Sequence, residues 1–231
     1  MINEKIIVAL DTDSVEQART IITVLGEKGI FYKVGISLFT KAGPDFIKEI
    51  VGMGKKVFLD LKFFDIPNSM LLASIAGAEL GVEIINYHCL AGEKPLKEVK
   101  DLLTEYCSKK SIKLPYLIGV TVLTSVENEG NMKDVVLRMC HIAKNAGLDG
   151  VVCSTIELNA IKEQYGIKFK TVVPGIRMPE NQMDDQKRSG TPFSAFTQGA
   201  DYIVVGRPII KAVNPRNALE NIIADAEKAL V

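Results

Sequence analysis

The chain has 231 residues, with 28 Lys and Arg against 28 Asp and Glu, two His, four Cys, no Trp and 47% hydrophobic residues. At this length about 70% of the unfolded chain's surface can be buried, so a full core needs no disulfide or metal staple, and the apolar fraction excludes intrinsic disorder. Zero formal net charge removes the usual electrostatic basis for nucleic acid or an anionic membrane as the main partner.

The chain opens MINEKIIVALDTD, whose apolar run IIVAL is far too short for a signal peptide or a membrane span. Short β-branched runs then alternate with longer segments of helical periodicity. The expected strands are 5–10, 31–35, 56–61, 83–88, 116–122, 150–154, 170–173 and 202–206. Helices are expected at 14–27 with Ser14 as N-cap, at 68–81, at 132–147 ending on Gly147, and at 215–230 with Pro215 in its first turn. Gly35 and Gly43 bracket a further helix start.

Eight strand-helix units in 231 residues leave about 29 residues per unit, the length of a βα repeat with parallel strands and crossover helices. The expectation is therefore a single α/β domain spanning residues 1–231, folded as a closed (β/α)8 TIM barrel. An open doubly wound sheet is the alternative, because periodicity alone does not show closure. The long irregular stretch 175–190 has the length of a lid or binding loop.

Cys89, Cys107, Cys140 and Cys153 form no CxxC pair and no short Cys/His spacing for zinc. They are expected to be buried small hydrophobes, in a reducing cytoplasmic setting. No GxGxxG or GxxxxGK[ST] sequence supports dinucleotide or triphosphate binding. His141 reads as a surface or packing residue, and His88 as a structural histidine at a strand end.

Function in such folds sits at the C-terminal ends of the strands. Those ends carry Asp11, Lys33, Asp60, Lys62, His88, Thr124, Ser125, Arg177 and Arg207. In KKVFLDLKFFDIPNS, Asp60 and Lys62 are two apart, so on an extended segment both project to one face while Leu59 and Leu61 take the other. Charges aimed into an apolar barrel mouth must pair or shift their pKa values. Asp65 follows on the loop, and Lys33 on the next strand supplies a second ammonium. The combination reads as one alternating network of zero net charge. A structural ion-pair cluster is the plain alternative. A phosphate grip weighs against it: GADYIVVGRPI is an apolar strand ending in Gly206, which permits close backbone approach, and Arg207, which can hold an anion with two donors. Gln186 and Arg177 stand on the long loop as further donors.

These residues resemble the orotidine 5'-phosphate decarboxylase family. DLKFFDIPNS is similar to its DxKxxDIPN signature, and the resemblance continues through VALD, YKVG, VTVLTS, VPGIR with DQKR, and YIVVGRPI, over about 200 residues. It implies metal- and cofactor-independent decarboxylation of orotidine 5'-phosphate to uridine 5'-phosphate. Lys62 would protonate C6 of the pyrimidine and Asp60 would lie beside the substrate carboxylate. Asp65 would complete the charged array from the other subunit of a homodimer. Asp11 and Lys33 would hold ribose hydroxyls, and Thr124 or Ser125 the pyrimidine edge. Gln186, Gly206 and Arg207 would bind phosphate, with Arg177 on the closing loop. Ile66, Ser69 and Pro174 complete the implied substrate contacts. Two positions depart from the common pattern: Phe64 where many relatives have His, so no acid/base role falls there, and Ser69 where many have Thr, which keeps a hydroxyl. A catalytically silent nucleotide-binding barrel and a magnesium-dependent sugar-phosphate decarboxylase or aldolase are the other readings.

Overall fold

Eight parallel strands close on themselves in sequence order, β1 through β8 and back to β1. The computed structural model describes residues 1–123, 132–178 and 190–230. The strands are β1 (Ile6–Ala9), β2 (Phe31–Gly35), β3 (Lys56–Phe63), β4 (Ile84–His88), β5 (Tyr116–Val120), β6 (Gly150–Val152), β7 (Lys170–Val173) and β8 (Tyr202–Val205). The pairing of Ile6 with Ile203 and Val8 with Val205 joins the last strand to the first, which overturns the open-sheet alternative.

The outer layer comprises α1 (Val15–Leu25), α2 (Ile36–Gly52), α3 (Pro67–Glu79), α4 (Glu93–Lys110), α5 (Met132–Asn145), α6 (Thr155–Tyr165), α7 (Pro192–Thr197), α8 (Arg207–Ile210) and α9 (Pro215–Glu227). Their starts follow local chemistry. The Ser14 side chain accepts from the Gln17 amide at the head of α1, and Asn214 does the same for α9 from Asn217. Proline occupies the first turn of α3, α7 and α9, where its missing N–H costs nothing. Within α2, Gly43 at φ 65° ahead of Pro44 kinks two helical pieces together, so this glycine bends a helix rather than starting one.

Several strands stop earlier than their apolar runs suggest. β5 ends at Val120 and not Val122, and the Thr121 hydroxyl donates to the Val152 carbonyl across the strand ends. Ser154 leaves β6 to cap α6, its Oγ accepting from the Ile156 amide. Local side-chain bonds of this kind compete with the sheet ladder.

The core has two layers. Inside the barrel, Ile7, Ala9, Phe31, Phe58, Ile84, Ile118, Val172 and Val204 form one cluster. A larger cluster, including Val8, Leu59, Ile85, Leu117 and Val205, lies between the strands and helices. Each such Ile, Leu or Phe contributes about 1.5–3 kcal/mol on burial. All four cysteines are free and buried, as their apolar settings suggest, and burial pushes the Cys89 and Cys140 thiols up to about 12. No helix among the described residues is long and apolar enough to cross a membrane.

Candidate active site

On the inward-facing rows of three adjacent strands an apolar residue is followed by a polar one towards the C-terminal end. Lys33, Asp60 and Asn86 each lie two residues beyond an interior apolar residue, namely Phe31, Phe58 and Ile84, and the period of two keeps them on the inward face. All three are buried. The polar layer thus sits directly on the apolar plug of the barrel, at the C-terminal ends of the strands.

Four charged groups form a chain across this layer. Lys33 Nζ lies 2.9 Å from Asp11 Oδ1 and 3.2 Å from Asp60 Oδ2, and Lys62 Nζ lies 2.7 Å from Asp60 Oδ1. Acid and base alternate and the four formal charges cancel, as the sequence suggests, with Asp11 in the place expected for Asp65. Burial alone would depress the Lys33 ammonium, but the charges of Asp60 and Asp11, with their hydrogen bonds, outweigh it and hold its pKa above the ordinary lysine value. The side chains of Asp60 and Lys33 are only 10% and 11% exposed, whereas that of Lys62 keeps 41%. Lys62 is therefore the amine of the array that a ligand entering the mouth can meet.

Asp60 and Lys62 converge by a different route from simple strand alternation. Leu59 pairs with Ile85 and Phe63 with Tyr87, so three residues of β3, Asp60, Leu61 and Lys62, span the space of the single Asn86 on β4. This is a bulge with two extra residues, and Lys62 takes φ 51°, in the left-handed region. Such a conformation costs a lysine about 1–2 kcal/mol and bulges concentrate beside active sites. Leu59 and Leu61 do pack outward, against the helix layer.

Asn86 fills the gap the bulge opens. Its Oδ1 accepts from the Lys62 amide at 2.8 Å, and its Nδ2 donates to Asp60 Oδ1 at 2.7 Å. The carboxylate of Asp60 thereby receives Lys62, Asn86 and, through its other oxygen, Lys33. Sequence reading missed Asn86. The available signal was an amide within the apolar run IINY, at an inward position two residues beyond Ile84.

Asp65 does not join the array of its own chain. It is exposed, and its Oδ1 accepts from the Ile66 amide. Phe64 and Ile66 beside it are 62% and 66% exposed, and the Phe64 ring lies 5.7 Å from that of His88. His88 Nδ1 accepts from the Leu90 amide, and burial followed by the Lys62 charge lowers its pKa. The Leu90 contact fits a structural histidine, and Lys62 is within electrostatic reach. Ser69 is half-buried in the first turn of α3.

On the opposite side of the mouth, Gly206 follows β8 and caps α8 beside the first strand. A Cβ there would stand 3.4 Å from Ala9 Cβ and 3.8 Å from Asp11 Oδ2, so the glycine brings backbone close to the Asp11 end of the array. Arg207 follows as the first residue of α8. Pro174 and Gly175 leave β7, and the Arg177 amide donates to the Gly190 carbonyl at 2.9 Å. The Arg177 guanidinium is buried, with Nη1 donating to the Ile176 carbonyl. Thr124, Ser125 and Gln186 lie outside the described residues.

The family model for Orotidine 5'-phosphate decarboxylase / HUMPS matches residues 4–222. The chain belongs to this family. It is 44% identical over 230 residues to the orotidine 5'-phosphate decarboxylase of Vibrio cholerae, covering 96% of this chain and 98% of that one. The enzyme of the same name from Legionella pneumophila is also 44% identical, with the same coverage. The crystal structure of orotidine 5'-phosphate decarboxylase from Lactobacillus acidophilus superposes with a TM-score of 0.83 at 38% identity, covering 96% of this chain and 98% of that one. In this chain the charged array comes from Asp11 just beyond β1, Lys33 on β2, and Asp60 and Lys62 on β3. Among the described residues no group of three or more His, Cys, Asp or Glu is arranged to hold a metal ion.

Proposed function

We propose that the chain is a carboxy-lyase that converts orotidine 5'-phosphate to uridine 5'-phosphate and CO2 without metal or cofactor. The observation that carries this reading is the Lys62 ammonium, half-open to the mouth and 2.7 Å from an Asp60 carboxylate already saturated by donors, in a chain of this family.

The chemistry asks for such an arrangement. When the bond between C6 and the carboxylate breaks, its electron pair stays on C6 in an in-plane orbital that no carbonyl can delocalise. Lys62 gives its proton to that carbon, CO2 leaves, and solvent later reprotonates the amine. A fixed ammonium at C6 stabilises the localised charge as it develops, and a site with little water strengthens the effect. Asp60 beside the reactant carboxylate disfavours the ground state more than the transition state, because the negative charge moves away from it as CO2 forms. Lys33, held by Asp60 and Asp11, keeps the array neutral, and with Asp11 faces the ribose hydroxyls. Thr124 or Ser125 would hold the pyrimidine edge.

Phosphate is assigned to Gly206, Arg207 and Gln186, with Pro174 and Arg177 at the base of the segment that would cover the ligand. The closeness of Gly206 to Asp11 supports a ligand spanning both. Binding energy from the remote phosphate can support the chemical step at C6.

Asp65 is assigned to the neighbouring subunit's site in a homodimer, along with Ile66 and Ser69. Its exposure between two exposed apolar side chains supports a covered surface there. The whole of residues 1–231 is read as one catalytic domain, and the setting as cytoplasmic, with the burial of all four free thiols compatible with either redox state. A silent nucleotide-binding barrel would have no use for a lysine held against a buried carboxylate at an energetic cost.

The test is to mix the purified chain with orotidine 5'-phosphate in the presence of EDTA and follow the ultraviolet change. Conversion to uridine 5'-phosphate supports the reading. Activity that disappears with EDTA points to the magnesium-dependent alternative, and no conversion under any condition points to the silent barrel.

A further inference from the structure

We propose that Asn86 is a positioning residue for the decarboxylation, acting through Asp60 and Lys62 without touching the substrate. This rests on the reading of Lys62 as proton donor. The bulge between the Leu59–Ile85 and Phe63–Tyr87 pairs removes the β4 partner that a regular ladder would offer the Lys62 amide. Asn86 replaces it with a side-chain carbonyl at 2.8 Å, and with the same amide group fixes Asp60 Oδ1 at 2.7 Å.

The orientation of the Asn86 amide is dictated by its partners. A backbone N–H requires an acceptor and a carboxylate requires a donor, so only one of the two amide orientations satisfies both. One buried group thus couples two things the chemistry needs: the left-handed backbone at Lys62, which aims its amine back towards Asp60, and the rotation of the Asp60 carboxylate. No apolar residue at this position can do either. Without Asn86 the Lys62 amide would lose its partner at a backbone conformation already unfavourable to lysine, and Asp60 could turn. A displacement of the amine by about 1 Å can cost on the order of 100-fold in rate.

Aspartate is the informative substitution, because it is nearly isosteric with asparagine. When protonated, its carbonyl accepts from the Lys62 amide and its hydroxyl donates to Asp60. When ionised, it presents a second carboxylate to Asp60, and the pair holds a shared proton more tightly than either alone.

The experiment compares wild type, Asn86→Ala and Asn86→Asp for kcat and KM against pH, for binding of uridine 5'-phosphate, and by crystallography. Asn86→Ala is expected to lower kcat by roughly 10- to 100-fold with the dissociation constant of uridine 5'-phosphate changed less than about threefold. Its crystal structure should show Lys62 out of the left-handed region. For Asn86→Asp, the kcat ratio to wild type should rise as pH falls, whereas for Asn86→Ala that ratio should be flat. The proposal is overturned by a kcat of Asn86→Ala within about twofold of wild type, by a flat ratio for Asn86→Asp, or by an unchanged Lys62 backbone in the Asn86→Ala crystal. If neither variant folds, Asn86 belongs to the stability of the barrel and the proposal also fails. A wild-type chain that does not decarboxylate would instead remove the reading beneath it, and the crystal structure would still decide whether Asn86 sets the Lys62 backbone.

Discussion

Lys33 lies between carboxylates, 3.2 Å from Asp60 Oδ2, and is the group that keeps the buried Asp60 from facing Asp11 uncompensated. Removing one member of a buried pair leaves the other desolvated and unpaired. Asp60 keeps Lys62 and Asn86 as donors and Asp11 remains open to water, so Lys33→Met is expected to destabilise the fold by about 1–3 kcal/mol, less than a fully broken buried pair. Urea denaturation measures this, and a loss below about 0.5 kcal/mol would show that the array contributes nothing to stability. The pH sign follows from the raised Lys33 pKa: its contribution is fully present below the unfolded value of 10.5 and is lost only as pH rises through the higher folded value. The difference between wild type and variant should thus be constant across neutral pH.

His88 provides a pH effect of the opposite sense. Its folded pKa is lowered from 6.5 by burial and then by Lys62, so the folded chain binds its proton less readily than the unfolded chain. The stability it supports is fully present above 6.5 and declines as pH falls from there through the folded value. Because the chain has two histidines, imidazole NMR resolves both, and His88 is expected to titrate below 6.5. Lys62→Met should move that titration upward by removing the smaller of the two causes; no movement would separate His88 from the array.

Shared sites make a prediction that independent barrels do not. Lys62→Ala and Asp65→Ala chains, each inactive alone, are expected to regain activity when mixed under conditions of subunit exchange. In a two-fold dimer the hybrid contains one site with both residues intact, which caps recovery at about a quarter of wild-type sites. Mixtures no more active than their components would confine Asp65 to a role within its own chain.

The phosphate assignment separates binding of the two halves of the ligand. Arg207→Ala should weaken uridine 5'-phosphate by about 1.5–3 kcal/mol, the scale of hydrogen bonds to charged groups, while leaving uridine unchanged. Calorimetric titration of both ligands checks this. An unaltered dissociation constant for the nucleotide would move the phosphate away from the end of β8.

The eight strands were legible because short apolar, largely β-branched runs alternate with longer helical stretches, and Ser14 and Pro215 mark helix starts by side-chain chemistry that acts locally. Closure was not, since the pairing of Ile6 with Ile203 depends on accumulated twist and tilt rather than on any local pattern. At the site, the spacing of Asp60 and Lys62 announced their convergence but not its means. Alternation on a flat strand would have brought them together without the left-handed turn at Lys62, and only the β3–β4 register reveals the bulge. Asp11 joins Lys33 because β1 and β2 are neighbours, which follows from the closed order. Asn86 escaped notice because an amide has no charge to advertise it, and its meaning arises only from the gap opposite.

The role of Lys62 is tested most directly by Lys62→Ala, assayed by the ultraviolet change on orotidine 5'-phosphate beside wild type, with uridine 5'-phosphate binding measured on the same preparations. The expected result is turnover lost by at least about 1,000-fold, beyond what general acid–base assistance usually supplies at its lower limit, with the nucleotide still bound. Turnover within about tenfold of wild type, with binding intact, would contradict Lys62 as the donor of the proton to C6.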